Sequence, residues 1–181
     1  MKHQIERILR NRKVARMTHA NLKASAVLIS LFDKGGQYHI LFTERSEEVV
    51  FHKGQVCFPG GTYQPSDANL VQTALRESAE EIGLQPEDVE ILGQLDDITT
   101  FTSDYVISPF VGLIPHPYSF KPDRMEIKEI FAVPLSFFLD EANFKQDSYA
   151  YEYEGHLIWG ATARILRQLI ELLKSESGAR E

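Results

Sequence analysis

Runs of apolar and β-branched residues along the chain predict a β-sheet. Residues 24–32 and 38–43 form two such runs, separated by a turn at 33–37 that contains two glycines. Similar segments, each expected to be a strand, lie at 55–58, 89–93, 105–114, 129–133 and 156–159. The first two runs predict a hairpin, to which the later strands add.

Apolar residues with helical spacing predict helices at both ends of the chain and one in the centre. The terminal helices are expected over about 3–14 and 161–174, and a short helix is expected at 134–139. The central helix is predicted over about 69–82, with Ser66 or Asp67 as its N-cap and Gly83 as its C-cap. Its apolar face consists of Val71, Ala74, Leu75, Ala79 and Ile82.

Strands before and after a central helix favour an α/β (α+β) fold in which a mixed sheet lies between helices, an α/β/α sandwich. We expect a single domain over residues 1–181, with a frayed tail at about 175–181.

Composition narrows the function. The chain has 181 residues, of which 43% are hydrophobic and 25% charged, and a net charge of −7 that argues against nucleic acid as a partner. No apolar run is long enough for a membrane span, and the N-terminus lacks the apolar core of a secretory signal. The single cysteine, Cys57, fits a cytoplasmic protein; it is expected to be a small buried hydrophobe, with a nucleophile as the alternative.

Three glutamates on the central helix predict the chemistry. Glu77 lies three and four residues before Glu80 and Glu81, so all three share one helical face and repel one another. Oxygen ligands of this kind suit Mg²⁺ or Mn²⁺, usually together with substrate phosphates. This pattern predicts metal-assisted attack on a phosphate ester or anhydride. The alternative is a solvated, glutamate-rich helix face.

These residues resemble the signature of the Nudix hydrolases. The positions that match the signature are Gly61, Asp67, Arg76, Glu77, Glu80, Glu81, Gly83 and Leu84. Three features depart from it: Asp67 stands where Glu is usual, it lies one residue further from Arg76, and Ser78 replaces an aliphatic residue. Segments 41–61, 129–135 and 158–163 are similar to the coenzyme A pyrophosphatase branch of that family.

The resemblance implies a Nudix-type fold and hydrolysis of a pyrophosphate bond in coenzyme A or acyl-CoA, giving phosphopantetheine and adenosine 3′,5′-bisphosphate. It implies Mg²⁺ or Mn²⁺ as cofactor and a small nucleotide substrate as partner, in a monomer or homodimer. The implied metal ligands are Glu77, Glu80, Glu81 and the backbone carbonyl of Gly60. The implied substrate-binding residues are Arg45, Ser46, Lys53 and Gly61.

The remaining catalytic roles carry alternatives. Arg76 matches the family arginine that orients Glu77, and its simpler role is an ion pair with Glu80. Arg45 contacts a phosphate or pairs with a nearby glutamate. Glu126 and Glu129 are expected as further catalytic acids, with solvated loop acids as the alternative.

Val50 stands where the coenzyme A branch has an arginine, and valine offers no hydrogen-bond donor to an anionic substrate. This departure favours a second interpretation, in which the substrate is ADP-ribose, a dinucleotide or a nucleoside triphosphate. A third interpretation is a non-catalytic Nudix scaffold that senses nucleotides.

Overall fold

The computed structural model describes residues 1–17, 21–48, 53–100 and 104–178. Its helices are α1 (Lys2–Arg10), α2 (Leu70–Ile82), α3 (Leu135–Leu139) and α4 (Gly160–Gly178). Its strands are β1 (Lys23–Lys34), β2 (Gln37–Arg45), β3 (Val56–Cys57), β4 (Gly60–Thr62), β5 (Glu90–Gln94), β6 (Ile98–Thr99), β7 (Tyr105–Leu113), β8 (Ile127–Pro134), β9 (Phe144–Lys145), β10 (Ala150–Tyr153) and β11 (His156–Ile158).

The large sheet is mixed. Its main path is β3-β2-β1-β7-β5, with β4 paired to β1, β6 to β7 and β8 to β2. Strands β1 and β7 are parallel and the other pairs are antiparallel, whereas β9, β10 and β11 form a separate small sheet. Because β7 occupies one edge of β1, strands β2 and β4 share the other edge. This arrangement brings the short glycine strand β4 directly beside β1.

Helices cover both faces of this sheet. Alternation along β1 sends Ala26 and Leu28 towards α2, and Ile29 and Leu31 towards the opposite face. On the α2 side the buried core includes Leu41, Ala74, Leu75, Ile82 and Phe110. On the other side α1, α3 and α4 contribute Ile5, Leu9, Phe138, Leu166 and Leu169. Each fully buried side chain of this size contributes about 1.5–3 kcal/mol. The predicted α/β/α sandwich with a mixed sheet is confirmed.

The two terminal helices differ from the prediction. Helix α1 ends at Arg10 and does not reach residue 14, because the following segment is tied to the sheet. The backbone N–H groups of Ala15 and Met17 donate to the carboxylates of Asp96 and Asp97 at 2.7 and 2.9 Å.

Helix α4 continues to Gly178, so the predicted frayed tail is wrong for residues 175–178. An ion pair between Arg7 and Glu176 at 2.5 Å joins the end of α4 to α1. Residues 179–181 lie outside the described part of the chain.

The caps of α2 agree with the prediction at one end only. Asn69, and not Ser66 or Asp67, caps the N-terminus, where its side chain accepts the Gln72 N–H at 3.0 Å. Gly83 ends the helix with φ of 71°, the left-handed conformation that favours glycine. Ser78 is fully buried, and its hydroxyl donates to the Ala74 carbonyl at 2.7 Å, which satisfies a polar group at a position that faces the core. None of the described helices is long and apolar enough to cross a membrane.

Candidate active site

The C-terminal half of α2 presents three carboxylates in different environments. The side chains of Glu81, Glu77 and Glu80 are 4%, 17% and 59% exposed. Glu81 accepts a hydrogen bond from the Gly60 N–H at 3.1 Å and lies 3.5 Å from the Arg45 guanidinium. One carboxylate is therefore buried against β4, while another on the same helix faces solvent.

Burial raises the pKa values of the two less exposed carboxylates, Glu81 and Glu77, which we call the inner acids. Burial raises the pKa of Glu81 to about 8, and the charges of Glu77 and Glu126 act in the same direction, whereas Gly60 N–H and Arg45 oppose the shift. The pKa of Glu77 is also raised, mainly by burial. Ionised carboxylates are thus disfavoured here without further positive charge, which is the electrostatic condition that a hard cation relieves.

Arg76 connects the carboxylates to the rest of the site. Its Nη1 donates to Glu77 at 2.8 Å and to Glu80 at 3.1 Å, so both roles expected from the sequence are present together. Its Nη2 also donates to the Thr62 carbonyl in β4 at 3.1 Å. The guanidinium therefore fixes the carboxylates of Glu77 and Glu80 relative to the glycine strand β4.

Asp67 binds the Arg76 guanidinium through both carboxylate oxygens. The two oxygens of Asp67 accept from Arg76 Nε at 2.9 Å and Nη2 at 3.1 Å, and one oxygen also accepts from the Thr73 hydroxyl at 2.9 Å. The Arg76 hydrogen bonds lower the pKa of Asp67 well below its usual range. Charge-assisted bonds of this kind contribute roughly 1.5–3 kcal/mol, against about 0.3–0.5 kcal/mol for an exposed pair such as Arg76–Glu80. Asp67 therefore positions the arginine and does not cap α2.

Gly60 and Gly61 lie where side chains would collide. A Cβ on Gly60 would be 2.3 Å from the Ala26 carbonyl oxygen in β1. A Cβ on Gly61 would be 2.4 Å from Cδ of Glu77. The absence of side chains thus lets β4 pair with β1 on one side and lets Glu77 approach the backbone on the other.

A NUDIX domain model matches residues 22–150 of the chain. The chain belongs to the Nudix family.

Relatives and solved structures agree with this assignment. Peroxisomal coenzyme A diphosphatase NUDT7 of Mus musculus is 32% identical over 180 residues, covering 91% of this chain and 76% of that protein. The uncharacterized Nudix hydrolase NudL of Photorhabdus laumondii is 38% identical over 161 residues, covering 83% and 85%.

Among solved structures, a NUDIX hydrolase from Alicyclobacillus acidocaldarius has a TM-score of 0.61 at 19% identity, covering 91% of this chain and 98% of that one. The NUDIX domain of Shewanella oneidensis NrtR complexed with ADP ribose has a TM-score of 0.59 at 18% identity, covering 88% and 90%. At these identities the structures support the fold alone. With the family and its hydrolase relatives, this chain is a Nudix pyrophosphohydrolase.

The structure separates the two further acids expected from the sequence. Glu126 lies close enough to α2, which we call the Nudix helix, for its charge to raise the pKa of Glu77 and Glu81. Glu129, in β8, lies instead beside Glu44 and His156, with its carboxylate 3.9 Å from His156 Nε2. Only Glu126 joins the carboxylates of the Nudix helix.

The predicted substrate-binding residues also take different positions. Arg45 pairs with Glu81, and not with the neighbouring glutamates of its own segment. Ser46 is buried; its hydroxyl accepts the Glu48 N–H at 3.1 Å, and its own N–H donates to the Glu126 carbonyl at 2.8 Å. Ser46 therefore connects the β2 end to the segment that carries Glu126. Lys53 is exposed at the edge of a cavity beside β3.

Sequence reasoning missed Glu44 and His156. His156 lies 3.2 Å from a Glu44 oxygen and stacks on Phe131 with ring centroids 3.9 Å apart. Cross-strand pairing of Glu44 with Glu129 brings the two acids together, a relation that a single sequence does not display. Cys57 is half-buried, not fully buried as predicted, and desolvation raises the pKa of its thiol to about 11, which disfavours the alternative role as a nucleophile.

The donor chemistry of the Nudix helix fits Mg²⁺ or Mn²⁺. Glu77, Glu80 and Glu81 offer only oxygen ligands, which both ions prefer. Within the described ranges, the set of side chains with three ligand atoms within 4.8 Å of one another is Glu44, Glu129 and His156. The three helix carboxylates are therefore more widely spread than one tight ligand triangle.

Proposed function

We propose that the protein hydrolyses the pyrophosphate bond of coenzyme A or an acyl-CoA, giving 4′-phosphopantetheine and adenosine 3′,5′-bisphosphate. Support comes from the 32% identical coenzyme A diphosphatase, which this chain matches over 91% of its length. The resemblance of segments 41–61 and 158–163 to the coenzyme A branch supports the same substrate. The observation that carries the reaction type is the buried Glu81 beside Glu77, with both fixed against the glycine strand.

The metal ligands proposed here are Glu77, Glu80, Glu81 and the Gly60 carbonyl. When bound, Mg²⁺ or Mn²⁺ neutralises the pyrophosphate and lowers the pKa of a coordinated water. Arg76 fixes the carboxylates of Glu77 and Glu80, and the Gly60 N–H fixes that of Glu81. Glu126, which is exposed and near both inner acids, is assigned as the acid that accepts a proton from the attacking water.

A substrate panel tests the proposal. Purified protein is assayed with coenzyme A, acetyl-CoA, ADP-ribose, NADH and nucleoside triphosphates in Mg²⁺ or Mn²⁺, with EDTA as the metal-free control. We expect coenzyme A to show the highest kcat/KM and its products to be the two halves named above. A higher kcat/KM for ADP-ribose, a dinucleotide or a triphosphate would support the second interpretation. Metal-independent turnover, or none on any compound, would contradict the proposed chemistry.

Val50 offers a sharper test, although it lies outside the described residues. If the chain lacks one phosphate contact of the coenzyme A branch, Val50→Arg should raise kcat/KM for coenzyme A roughly tenfold to a hundredfold, chiefly through KM. Turnover of dephospho-coenzyme A should barely change if the arginine contacts the 3′-phosphate. Efficient hydrolysis of coenzyme A by the wild type and no gain in the variant would make Val50 a neutral departure.

A further inference from the structure

The cavity beside β3 at the edge of the large sheet has a volume of about 330 Å³. Its volume is at the lower end of the range for small-molecule sites, which suits part of a nucleotide better than a whole coenzyme A molecule. Its lining includes Glu44, Lys53, Gln55, His156, Leu157 and Trp159. Residues 53–56 form one wall, and residues 155–159, around β11, form the other.

The most unusual member of this lining is Trp159. It is 47% exposed, and neighbouring Leu157 is exposed to a similar degree. No ring in the described part of the chain stacks on the indole, although the core nearby contains many paired rings. A large aromatic surface left open at a cavity is suited to stacking with a flat ligand.

The opposite wall supplies a positive charge. Lys53 is exposed, and no acidic residue within the described segments forms an ion pair with it. An ammonium group in this position attracts a phosphate as a point charge. Glu44 also lines the cavity, but its two carboxylate oxygens are held by Lys128 and His156. A flat ring that carries a phosphate matches the indole and the ammonium group together.

Backbone contacts join this cavity to the catalytic carboxylates. Arg45 follows Glu44 in β2; its N–H donates to the Gln55 carbonyl at 3.0 Å, and its guanidinium lies 3.5 Å from Glu81. The Thr162 hydroxyl donates to the Val56 carbonyl at 3.0 Å, which fixes the start of α4 against the other wall. Glu44 and Arg45 are consecutive in β2 and their side chains point to opposite faces of the sheet, so the cavity and the metal ligands lie on opposite faces at the same end of β2.

We propose that this cavity binds the adenosine half of the substrate, with the adenine ring stacked on Trp159 and the 3′-phosphate at Lys53. The assignment rests on the proposed function, since it takes coenzyme A as the substrate. The pantetheine half has neither a flat ring nor a second phosphate, so it does not match the indole and the lysine.

Intrinsic fluorescence tests the assignment directly, because Trp159 is the only tryptophan in the chain. Wild-type protein is titrated, with and without Mg²⁺, with adenosine 3′,5′-bisphosphate, AMP and 4′-phosphopantetheine, none of which contains a pyrophosphate bond. We expect saturable quenching by both adenosine compounds and none by phosphopantetheine. Lys53→Gln should weaken binding of the bisphosphate about tenfold and leave AMP unchanged, whereas Lys34→Gln, at an exposed hairpin end, should alter neither.

Kinetics provide the second measurement. Base stacking on an aromatic side chain corresponds to roughly fivefold to hundredfold in affinity, so Trp159→Leu should raise KM for coenzyme A by that factor with little change in kcat. Trp159→Phe should retain most of the affinity. Quenching by phosphopantetheine alone, or silent fluorescence with an unchanged KM in Trp159→Leu, would overturn the assignment. So would emission that changes with protein concentration and a dimer lost in Trp159→Leu, which would make the indole a contact between two copies.

The proposed substrate and the proposed adenosine site can be rejected independently of each other. Quenching by adenosine nucleotides without hydrolysis of coenzyme A would retain the adenosine site and reject the substrate. Hydrolysis of coenzyme A with no response at Trp159 or Lys53 would retain the substrate and reject the site.

Discussion

Two groups of carboxylates in this protein differ in how their charge is balanced. Around the Nudix helix, two guanidinium groups face five carboxylates, which are Asp67, Glu77, Glu80, Glu81 and Glu126. On the opposite face of the sheet, Glu44 and Glu129 face the ammonium of Lys128 and the imidazole of His156. The first group retains excess negative charge, whereas the second is neutral when His156 is protonated.

This difference decides how proximity should be interpreted. The second group is the tighter, with three ligand atoms within 4.8 Å of one another, yet each of its acids already has a cationic or imidazole partner. In the first group Arg76 is held largely by Asp67, so Glu81 relies on one distant guanidinium and one N–H group. Uncompensated buried charge, more than short distance, therefore supports α2 as the proposed place for a divalent cation.

The largest effect is expected for Glu81→Gln. Glutamine keeps the size of the side chain but removes a ligand charge from the group that lacks compensation, which removes several kcal/mol of transition-state stabilisation. We expect kcat to fall roughly a thousandfold at saturating Mg²⁺. Glu80→Gln, at an exposed position, should lose less, on the order of tenfold to a hundredfold. Wild-type turnover in a folded Glu81→Gln protein would show that this carboxylate does not bind the metal.

The next largest effect is expected for Gly61→Ala, which should lower kcat roughly a hundredfold. The new Cβ would displace the end of a flexible side chain, the Glu77 carboxylate, so thermal stability should change little. Gly60→Ala provides the contrast, because its Cβ would collide with β1 backbone and should lower the melting temperature clearly. Equal activity in Gly61→Ala and wild type would reduce the glycine to an ordinary strand residue.

Sequence patterns predicted the elements that carry long-range hydrophobic periodicity. Strands β1, β2, β7 and helix α2 were found close to their observed limits, because the strands are long, nearly continuous apolar runs and the helix has a buried face on a helical period. Strands β4, β6, β9 and β10 were missed, since two to four residues show too little of a pattern.

The site was predicted in part for a related reason. Local spacing on one helix places Glu77, Glu80 and Glu81 on one face, and this requires no tertiary information. The partners of Arg45 and Glu129 depend instead on the tertiary fold. The sequence suggested neighbouring glutamates for Arg45, where the structure shows Glu81, and it suggested no partner for Glu129, which lies beside His156. Asp67 was expected as a cap or a metal-linked acid, and its bond to Arg76 becomes visible only when the loop before α2 folds back on the helix.

The difference in stability between wild type and Glu81→Gln should depend on pH. The pKa of Glu81 in the folded, metal-free protein is raised to about 8, above its ordinary value near 4.5. The contribution of the protonated Glu81 carboxyl to the free energy of unfolding is therefore complete below about pH 4.5 and is lost as the pH rises through 8. In EDTA, Glu81→Gln should be more stable than wild type by about 4–5 kcal/mol at pH 9, and the difference should fall below about 1 kcal/mol at pH 5.

Denaturant unfolding across this pH range measures the difference, with Glu80→Gln as the matched exposed control. Added Mg²⁺ should stabilise wild type most at high pH, where the ionised carboxylate binds the ion without releasing a proton. A constant difference between wild type and Glu81→Gln from pH 5 to pH 9 would contradict the raised pKa.

The smallest effect is expected for Glu129→Gln, which removes the same charge as Glu81→Gln but from the balanced group. The Glu129 side chain is 49% exposed, and its described partner is His156 at 3.9 Å, so an exposed pair worth at most about 1 kcal/mol is lost. We expect kcat and KM for the preferred substrate to remain within about twofold of wild type. The same substitution at Glu126 should lower kcat and alter its pH profile, because that acid lies near Glu77 and Glu81. If Glu129→Gln instead lost more than tenfold in kcat while Glu126→Gln did not, the roles of the two acids would be reversed, and the charge-balanced group would have to take part in catalysis.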